Sequence, residues 1–443
     1  MALLVFQPAA YENYYWTISI LQQVGNVFWA MFLFYSIVYF NPSKFWISLL
    51  LIFILTFTHG NGLFAFGVGG ILLFLQKRHK HLSIWIGFMV IIAIGYFYGY
   101  YTAQNSNIAE SLSNPTRLIG CFGGFWGIFF KNILNTTNRA ILSGLVIFSI
   151  LFLINIRLFF TSLIPRYFSK FEKSFPEKNQ FLFACFLYLT ITAGLVALSR
   201  SWSSLDAAFQ NRYLHNSVIG FVLLYCTLLL YRSEKIKIIT FIFGIFFSTV
   251  YYVFSWYSNY EFLRIQQQTQ QSDAVNYALN GVTTVNEKYF NMNIEGILRQ
   301  SFKNGVSVLP KGQLRDIITN LDKYKSEKKT SFAIEILKDS ILSFNISNSH
   351  YRPVYQFTNL NFPHSEQIFL LLKSDKNTFV FATNQRKNRK LDFVKTMDFF
   401  TDGFYASITT DALPTGEYSV AILQEEYDNS FHYFTTHYKI SNP

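Results

Sequence analysis

One polar stretch of the chain, residues 200–213, combines side chains that could bind an anion. It reads RSWSSLDAAFQNRY, with two arginines, one carboxylate and several amides and hydroxyls. The planar fork of an arginine matches phosphate oxygens in a bidentate way. We therefore predict that Arg200 and Arg212 bind phosphate, and that Asp206 orients an arginine or acts as a base. Tyr213, which ends the stretch, is a further candidate for substrate binding. Alternatively, the arginines and Tyr213 are anchors at a membrane interface.

A second polar stretch, residues 11–16, places a carboxylate and an amide among aromatic rings. Glu12, Asn13 and Trp16 form a combination that could bind a sugar, because aromatic faces stack on the C–H groups of a sugar ring. The alternative is an aromatic belt at a membrane surface with one solvated glutamate.

The sequence HGNG at residues 59–62 interrupts a long apolar run. Irregular backbone at membrane depth occurs where it is buried in protein or lines a wet cavity. His59 and Asn61 are therefore candidates for the mouth of a cavity, and the alternative is a simple tight turn. His59 has no second histidine at ligand spacing, so no metal site is predicted. The chain has no nucleotide-binding or nucleophile-elbow motif, and no cofactor is predicted.

Long apolar segments must position these polar stretches. The chain is 51% hydrophobic and 14% charged, whereas about 25% charged residues are usual in soluble proteins. Several segments approach the roughly 20 apolar residues that a membrane-spanning helix needs. Eight spans are predicted, at residues 17–40, 44–58, 61–76, 82–100, 139–160, 181–199, 214–231 and 237–256. The glycine-rich segment 116–130 is shorter, and we expect it to be re-entrant or to lie in the interface.

The positive charge indicates orientation rather than a nucleic-acid partner. The net charge is +12, and much of it lies in short loops between apolar segments, as is typical of cytoplasmic loops. Three basic loops lie on the same side of the membrane only if the segment 116–130 does not cross the membrane. They contain Lys77, Arg78 and Lys80; Arg166, Lys170, Lys173 and Lys178; and Arg232, Lys235 and Lys237. The three polar stretches, the further polar segments 100–114 and 131–139, and the chain after residue 256 are then expected on the outer face.

The C-terminal part has a different pattern. Residues 257–325 are polar and are predicted to form a helical connector outside the membrane. From residue 326 to 443, short runs alternate apolar and polar residues between turn signals, which predicts a β-sandwich. The predicted strand runs are residues 331–337, 367–372, 378–382, 416–423 and 430–438. The sequence LPTGEY at 413–418 is common in immunoglobulin-like domains. A binding or spacer role is expected for this domain, because we find no catalytic constellation in it.

Five sequence motifs occur along the chain in an order that is similar to that in a known protein family. They are Glu12-Asn13-x-x-Trp16, the Asn61-Gly62 break, the aromatic run Tyr96–Tyr100, the glycine-rich segment Gly120–Gly127 and the loop Arg200–Tyr213. In these features residues 1–305 resemble a family of bacterial polytopic membrane proteins that are similar to GT-C glycosyltransferases. The expected fold is mainly α-helical, polytopic and GT-C-like, followed by an extracytoplasmic immunoglobulin-like β domain.

The resemblance implies a function and a location. GT-C enzymes transfer a sugar from a polyprenyl-phosphate donor at the outer membrane face, so we expect envelope glycan assembly at the bacterial inner membrane. Arg200 and Arg212 would hold the lipid phosphate, while Glu12 and Asp206 would contact the sugar or the glycan acceptor. The family's key acidic residue, in its first outer loop, is expected upstream of Met1, because residues 1–10 look like the end of a longer helix.

Two other functions are compatible with the pattern. The first is a non-enzymatic membrane scaffold whose β domain binds an envelope partner. The second is a transporter or flippase for a lipid-linked sugar. A transporter places ionisable groups near the middle of the bilayer, and the apolar segments are nearly free of them, so this function is disfavoured.

Overall fold

The computed structural model describes residues 2–11, 13, 19–100, 107–134, 136–158, 160, 176–230, 233–283, 294–306, 308, 312–325, 333–344, 349–409 and 413–442. Contacts divide the chain into two compact units, Met1–Asn259 and Tyr260–Pro443. The sequence analysis placed the first boundary at residue 256 and a second one at residue 325. The described chain is mainly helical, with β-sheets in its C-terminal part, as expected.

The first unit is built from helices. A π-helical turn, Ile20–Gly25, leads directly into α2, and 3₁₀ turns are formed by residues 8–10, 42–44, 205–209 and 211–213. The α-helices are α1 (Ala2–Val5), α2 (Asn26–Tyr39), α3 (Phe45–Thr58), α4 (Gly62–Leu75), α5 (His79–Phe97), α6 (Ile108–Ser113), α7 (Pro115–Leu134), α8 (Thr137–Leu158), α9 (Glu177–Arg200), α10 (Leu214–Leu229) and α11 (Glu234–Asn280). The last of these continues into the second unit.

Five of the described helices are long and apolar enough to cross a membrane. They are Ile20–Tyr39, His79–Phe97, Thr137–Leu158, Glu177–Arg200 and Glu234–Asn280. Each overlaps one of the eight predicted spans. The other three predicted spans correspond to shorter helices, with 14 residues in α3, 14 in α4 and 16 in α10.

The glycine-rich segment 116–130 lies within one continuous helix, the 20-residue α7. A Cβ atom at Gly127 would clash with the carbonyl oxygen of Ala140, and one at Gly144 would clash with that of Gly123. The glycines therefore let the backbones of α7 and α8 approach closely, as small residues do between membrane helices. That this segment does not cross a membrane stays a prediction.

The second unit contains two antiparallel sheets and small helices. The sheets have the strand orders β1-β2-β6-β5 and β4-β3-β7-β8. The strands are β1 (Glu335–Phe344), β2 (Ser349–Asn359), β3 (Gln367–Lys373), β4 (Thr378–Ala382), β5 (Asn384–Lys387), β6 (Phe400–Thr409), β7 (Gly416–Glu425) and β8 (Phe431–Asn442). The helices after α11 are α12 (Ile294–Lys303), α13 (Gln313–Thr319) and α14 (Lys390–Thr396), and residues 321–324 form a 3₁₀ turn.

Both sheets contribute to one hydrophobic core. Phe357 and Phe404 of the first sheet and Leu370 and Ile422 of the second are fully buried in the same cluster. On the other face of the second sheet, residues such as Leu371 form a separate cluster with α11 and α13. Strand β3 is therefore buried on both faces along its centre, which is why its five central residues, IFLLL, are all apolar.

Helix α11 covers the edge strand of the second sheet. The side-chain amide of Asn276 donates to the carbonyl oxygen of Val380 at 2.8 Å, and its Oδ1 accepts from the amide nitrogen of Val380 at 2.8 Å. One turn later, Asn280 donates to the carbonyl oxygen of Thr378 at 2.8 Å. These amides occupy backbone groups of β4 that would otherwise be open to another strand.

Candidate functional site

The N-terminal segment and the 200–213 loop meet at Asn13. This residue is completely buried, and its Nδ2 donates to the carbonyl oxygen of Arg212 at 3.2 Å. The same nitrogen lies 2.9 Å from Nδ1 of His215, while Oδ1 accepts a hydrogen bond from Ser19 at 2.5 Å. Asn13 thus joins the segment before the first predicted span to the loop residue Arg212, which is 199 residues later in the chain. Glu12 and Trp16, predicted to act beside it, lie outside the described residues.

His215 completes this arrangement as a neutral imidazole. Because the amide nitrogen of Asn13 can only donate, Nδ1 of His215 must accept, which leaves the ring proton on Nε2. His215 has a further hydrogen bond with the backbone of Val5. His215 is not predicted as a site residue from the sequence, because one histidine in an apolar helix has no pattern that distinguishes it.

A second buried polar contact fixes the segment just before Asn13. Ser255 of α11 donates to Oε1 of Gln7 at 2.5 Å, and the amide nitrogen of Ala9 donates to the same oxygen at 2.8 Å. Gln7 and Ser255 are both buried. Gln7 and Asn13 are therefore held by side chains of α10 and α11 and by a backbone carbonyl of the loop before α10. Neither Gln7 nor Ser255 was a sequence candidate.

Arg212 is the predicted phosphate ligand with the most constrained surroundings. Its guanidinium lies 5.3 Å from the centre of the Tyr213 ring, within the range of a cation–π interaction. Tyr213 is buried and packs against Phe125 at 5.9 Å between ring centres. Nε of Arg212 is buried and has no hydrogen-bond partner among the described residues. Arg212 is thus a half-buried cation with an unused donor.

The other charged residues of the loop are on the surface. Arg200 and Asp206 are exposed, and neither side chain forms an ion pair with another described residue. Lys131 of α7 adds a cation that the sequence analysis did not select, since its Nζ lies 4.8 Å from the centre of the Phe209 ring. The loop region therefore combines three cations, Arg200, Arg212 and Lys131, with one carboxylate.

His59 and Asn61 lie in a tight turn between α3 and α4. The amide nitrogen of Gly62 donates to the carbonyl oxygen of His59 at 2.8 Å, and the amide of Asn61 donates to Nδ1 of the same histidine at 3.3 Å. Among the described residues, no hydrogen bond or ion pair connects either side chain with the 200–213 loop. The turn is a position separate from the Asn13–Arg212 site.

The second unit has a cavity of about 250 Å³ beside α11 and α13. Its polar lining includes Gln271, Gln313, Arg315, Gln367 and Glu425. Oε1 of Gln367 is buried without a partner among the described residues. Burial raises the pKa of Glu425, as does the nearby Glu366, while Arg264 acts in the opposite direction.

The described residues contain no group of three His, Cys, Asp or Glu side chains that could hold a metal ion. Comparison of the chain with protein-family models, with curated proteins and with solved structures finds no match in any of the three.

Proposed function

We propose that the chain is an integral protein of the bacterial inner membrane and a GT-C-like glycosyltransferase, or the C-terminal part of one. It would transfer a sugar from a polyprenyl-phosphate donor to a glycan acceptor at the outer face. The single observation that carries this proposal is Arg212, a half-buried guanidinium with an unused Nε donor, held beside the buried Asn13–His215 pair.

Exposed apolar surface supports the membrane placement. In α5 the side chains of Ile91 and Ile94 are 66% and 68% exposed, and in α11 those of Ile239 and Phe246 are 67% and 66% exposed. Leaving such side chains in water costs about 1.5–3 kcal/mol each. A hydrocarbon environment removes this cost, and continuous apolar surfaces of this kind mark membrane or protein contacts.

The phosphate role of Arg212 follows from its hydrogen-bonding capacity. A guanidinium has five N–H donors and remains charged at any physiological pH. The backbone of Arg212 is fixed through Asn13, so binding an anion requires little ordering of the chain. Arg200 and Lys131 add positive charge around the same loop. A phosphate monoester or diester satisfies all of these groups better than a neutral sugar does.

An immunoglobulin-like fold is our proposal for the β-sheet domain. Its sheets, β1-β2-β6-β5 and β4-β3-β7-β8, follow the ABED and C′CFG strand orders of immunoglobulin domains. At the start of β7, the hydroxyl of the buried Tyr418 donates to the carbonyl oxygen of Pro414 at 2.8 Å, as in a tyrosine corner. Domains of this type present loops for binding, which suits contact with an acceptor glycan.

Replacing Arg212 by alanine tests the proposal. We expect a fall in sugar transfer of about 10- to 100-fold, because hydrogen bonds to charged groups contribute about 1.5–3 kcal/mol. The measurement compares glycans and lipid-linked sugars in envelope extracts from cells that lack the gene and carry either the wild-type or the R212A copy. Loss of one sugar from a glycan, with its lipid donor accumulating, is the expected result.

Two controls accompany this variant. Arg139→Ala removes an exposed arginine at the start of α8, also on the predicted outer face, and is expected to leave transfer unchanged. Arg212→Lys keeps the charge but not the planar fork, and we expect intermediate transfer. Normal transfer by the R212A protein at wild-type abundance would remove Arg212 from the site.

The orientation has a separate test. A reporter enzyme that is active only in the periplasm, fused after Pro443, is expected to be active. A fusion after Lys77 is expected to be inactive, because that loop is on the predicted cytoplasmic side. The reverse pattern would overturn the orientation and place the 200–213 loop on the inner face.

The non-enzymatic scaffold remains the second candidate, and the β-sheet domain favours it. If deletion of the gene changes neither glycans nor lipid-linked donors, the domain's binding surface becomes the functional part. Its cavity, where Oε1 of Gln367 has no partner among the described residues, is then the first place to examine.

A further inference from the structure

A short helix of the β-sheet domain exposes apolar side chains to solvent. Helix α14 lies between strands β5 and β6, and Leu391, Val394 and Met397 are 75%, 70% and 74% exposed. Their spacing of three residues places them along one side of the helix and its C-terminal cap. Three large apolar side chains together in water are unfavourable, so this group, the 391–397 patch, requires a covering surface.

The 391–397 patch is surrounded by positive charge. Residues 386–398 contain five Lys or Arg and two Asp, so their net charge is +3. Arg389, Lys390 and Lys395 are exposed beside the apolar side chains. Apolar side chains with basic neighbours are typical of segments that lie on a membrane surface, where the cations attract anionic lipids. A hydrophobic protein partner would not require this excess of positive charge.

The loop that carries the patch is fixed from behind. Phe393, on the other side of α14, packs against Phe399 at 5.9 Å between ring centres, and Phe399 packs against Tyr260 at 4.7 Å. The side-chain amide of Asn388 donates to the carbonyl oxygen of Asp398 at 3.0 Å, which closes the base of the loop. The patch is therefore presented by a constrained element.

The anchor residue Tyr260 is close in the chain to the predicted membrane. The last predicted span ends at Trp256, four residues before Tyr260. Four residues extend at most about 14 Å in any conformation. Phe399, at the base of the loop that carries the 391–397 patch, thus packs against a residue that follows the predicted span by four positions in the chain.

We propose that the 391–397 patch lies on the outer surface of the bilayer. Leu391, Val394 and Met397 enter the headgroup region, and the neighbouring cations bind phosphates of anionic lipids. The inference rests on the membrane placement proposed above, but it does not require sugar transfer. The contact would hold the β-sheet domain against the membrane, near any lipid-linked substrate.

Fluorescence quenching tests the contact on the full chain. The protein, with Cys121, Cys185 and Cys226 replaced by alanine, carries an environment-sensitive fluorophore at Val394→Cys and is reconstituted in nanodiscs. The discs contain phosphatidylcholine with or without phosphatidylglycerol, and a lipid spin-labelled near the headgroup is the quencher. The matched control is Leu360→Cys, also an exposed apolar position of the same domain. We expect strong quenching at 394, increased by phosphatidylglycerol, and little at 360.

Further variants separate the contributions. Lys390→Glu with Lys395→Glu is expected to weaken the bound state about 30-fold or more in anionic discs, because each Lys near such a surface adds about 1 kcal/mol. Equal quenching at positions 394 and 360 would overturn the inference. It would also be overturned if, in micelles without lipid, the protein itself shielded the fluorophore at position 394 from solvent. If alkaline carbonate extracts the native protein from membranes, the membrane placement itself fails. Retention in the membrane without quenching at 394 rejects the surface contact alone.

Discussion

Replacing Gly127 by alanine is expected to destabilise the helical unit strongly. The added Cβ atom would clash with the carbonyl oxygen of Ala140, a backbone atom that cannot move without separating α7 from α8. Overpacking in a well-packed interior costs about 1–3 kcal/mol and sometimes more, and a backbone clash belongs to the upper end of this range. The measurement is the thermal midpoint and the folded yield of the purified protein in detergent, which should both fall.

The control for this experiment is Gly87→Ala. Gly87 also lies inside a helix, α5, but a Cβ atom there meets no atom within 4 Å. Alanine is favoured over glycine by about 1 kcal/mol in a helix interior, so this variant should be as stable as the wild type or slightly more stable. Equal thermal midpoints for the G127A and wild-type proteins would contradict the close approach of α7 and α8.

Replacing Asn276 by alanine is expected to destabilise the β-sheet domain. It removes two hydrogen bonds and leaves the amide and the carbonyl of Val380 without a partner in a buried position. Each buried group that loses its partner costs about 1–3 kcal/mol, so the expected loss for the two groups is about 2–6 kcal/mol. Pulse proteolysis of the full-length protein in increasing urea measures this change in the free energy of unfolding.

A local readout distinguishes the loss of these bonds from general damage. Hydrogen exchange of a peptide that contains residues 378–382 should become faster in the N276A protein. Gln270→Ala, an exposed amide on the same helix, should leave both the urea midpoint and the exchange rate unchanged. Unaltered exchange at Val380 in the N276A protein would show that α11 does not cover this edge.

The sequence predicts elements well where one pattern dominates. The predicted span 181–199 lies within the helix Glu177–Arg200, and the predicted runs Gln367–Leu372 and Thr378–Ala382 match β3 and β4. The patterns are clear there because apolar runs of sufficient length have few other interpretations.

Strands that contain turn residues were not predicted. Strand β2 includes Pro353, which pairs with Ser340 of β1 but lies outside the pairing with β6, so it removes no hydrogen bond there. Strand β6 includes Asp402 and Gly403, which indicate a turn in a sequence. In the structure Gly403 has φ +101°, and its amide donates to the carbonyl oxygen of Phe362 at 2.8 Å. Tertiary contacts override the local preference at both positions.

The candidate site was predicted only in part for a related reason. Asn13 and Arg212 were selected by residue type, and the structure joins them through one hydrogen bond. Their partners His215 and Ser19 cannot be recognised from a local pattern. His215 is 202 residues from Asn13 and Ser19 is six residues from it, and a single sequence does not show that these side chains are in contact. The sequence also does not distinguish the exposed Arg200 from the half-buried Arg212, because the burial of a loop side chain depends on the helices that pack around the loop.

The π-helical turn Ile20–Gly25 has a consequence for the alignment of polar groups along the first long helix. A π turn contains one residue more than the α-helical turn it replaces, and one residue corresponds to about 100° of rotation around the helix axis. Ser19, before the turn, points to Asn13, whereas Asn26, after it, accepts from the hydroxyl of Tyr188 at 3.0 Å. A regular α-helix of the same sequence could satisfy one of these contacts but would rotate the other away. The extra residue rotates the part of the helix that follows it around the helix axis. A single helix can therefore contact two polar partners on different sides.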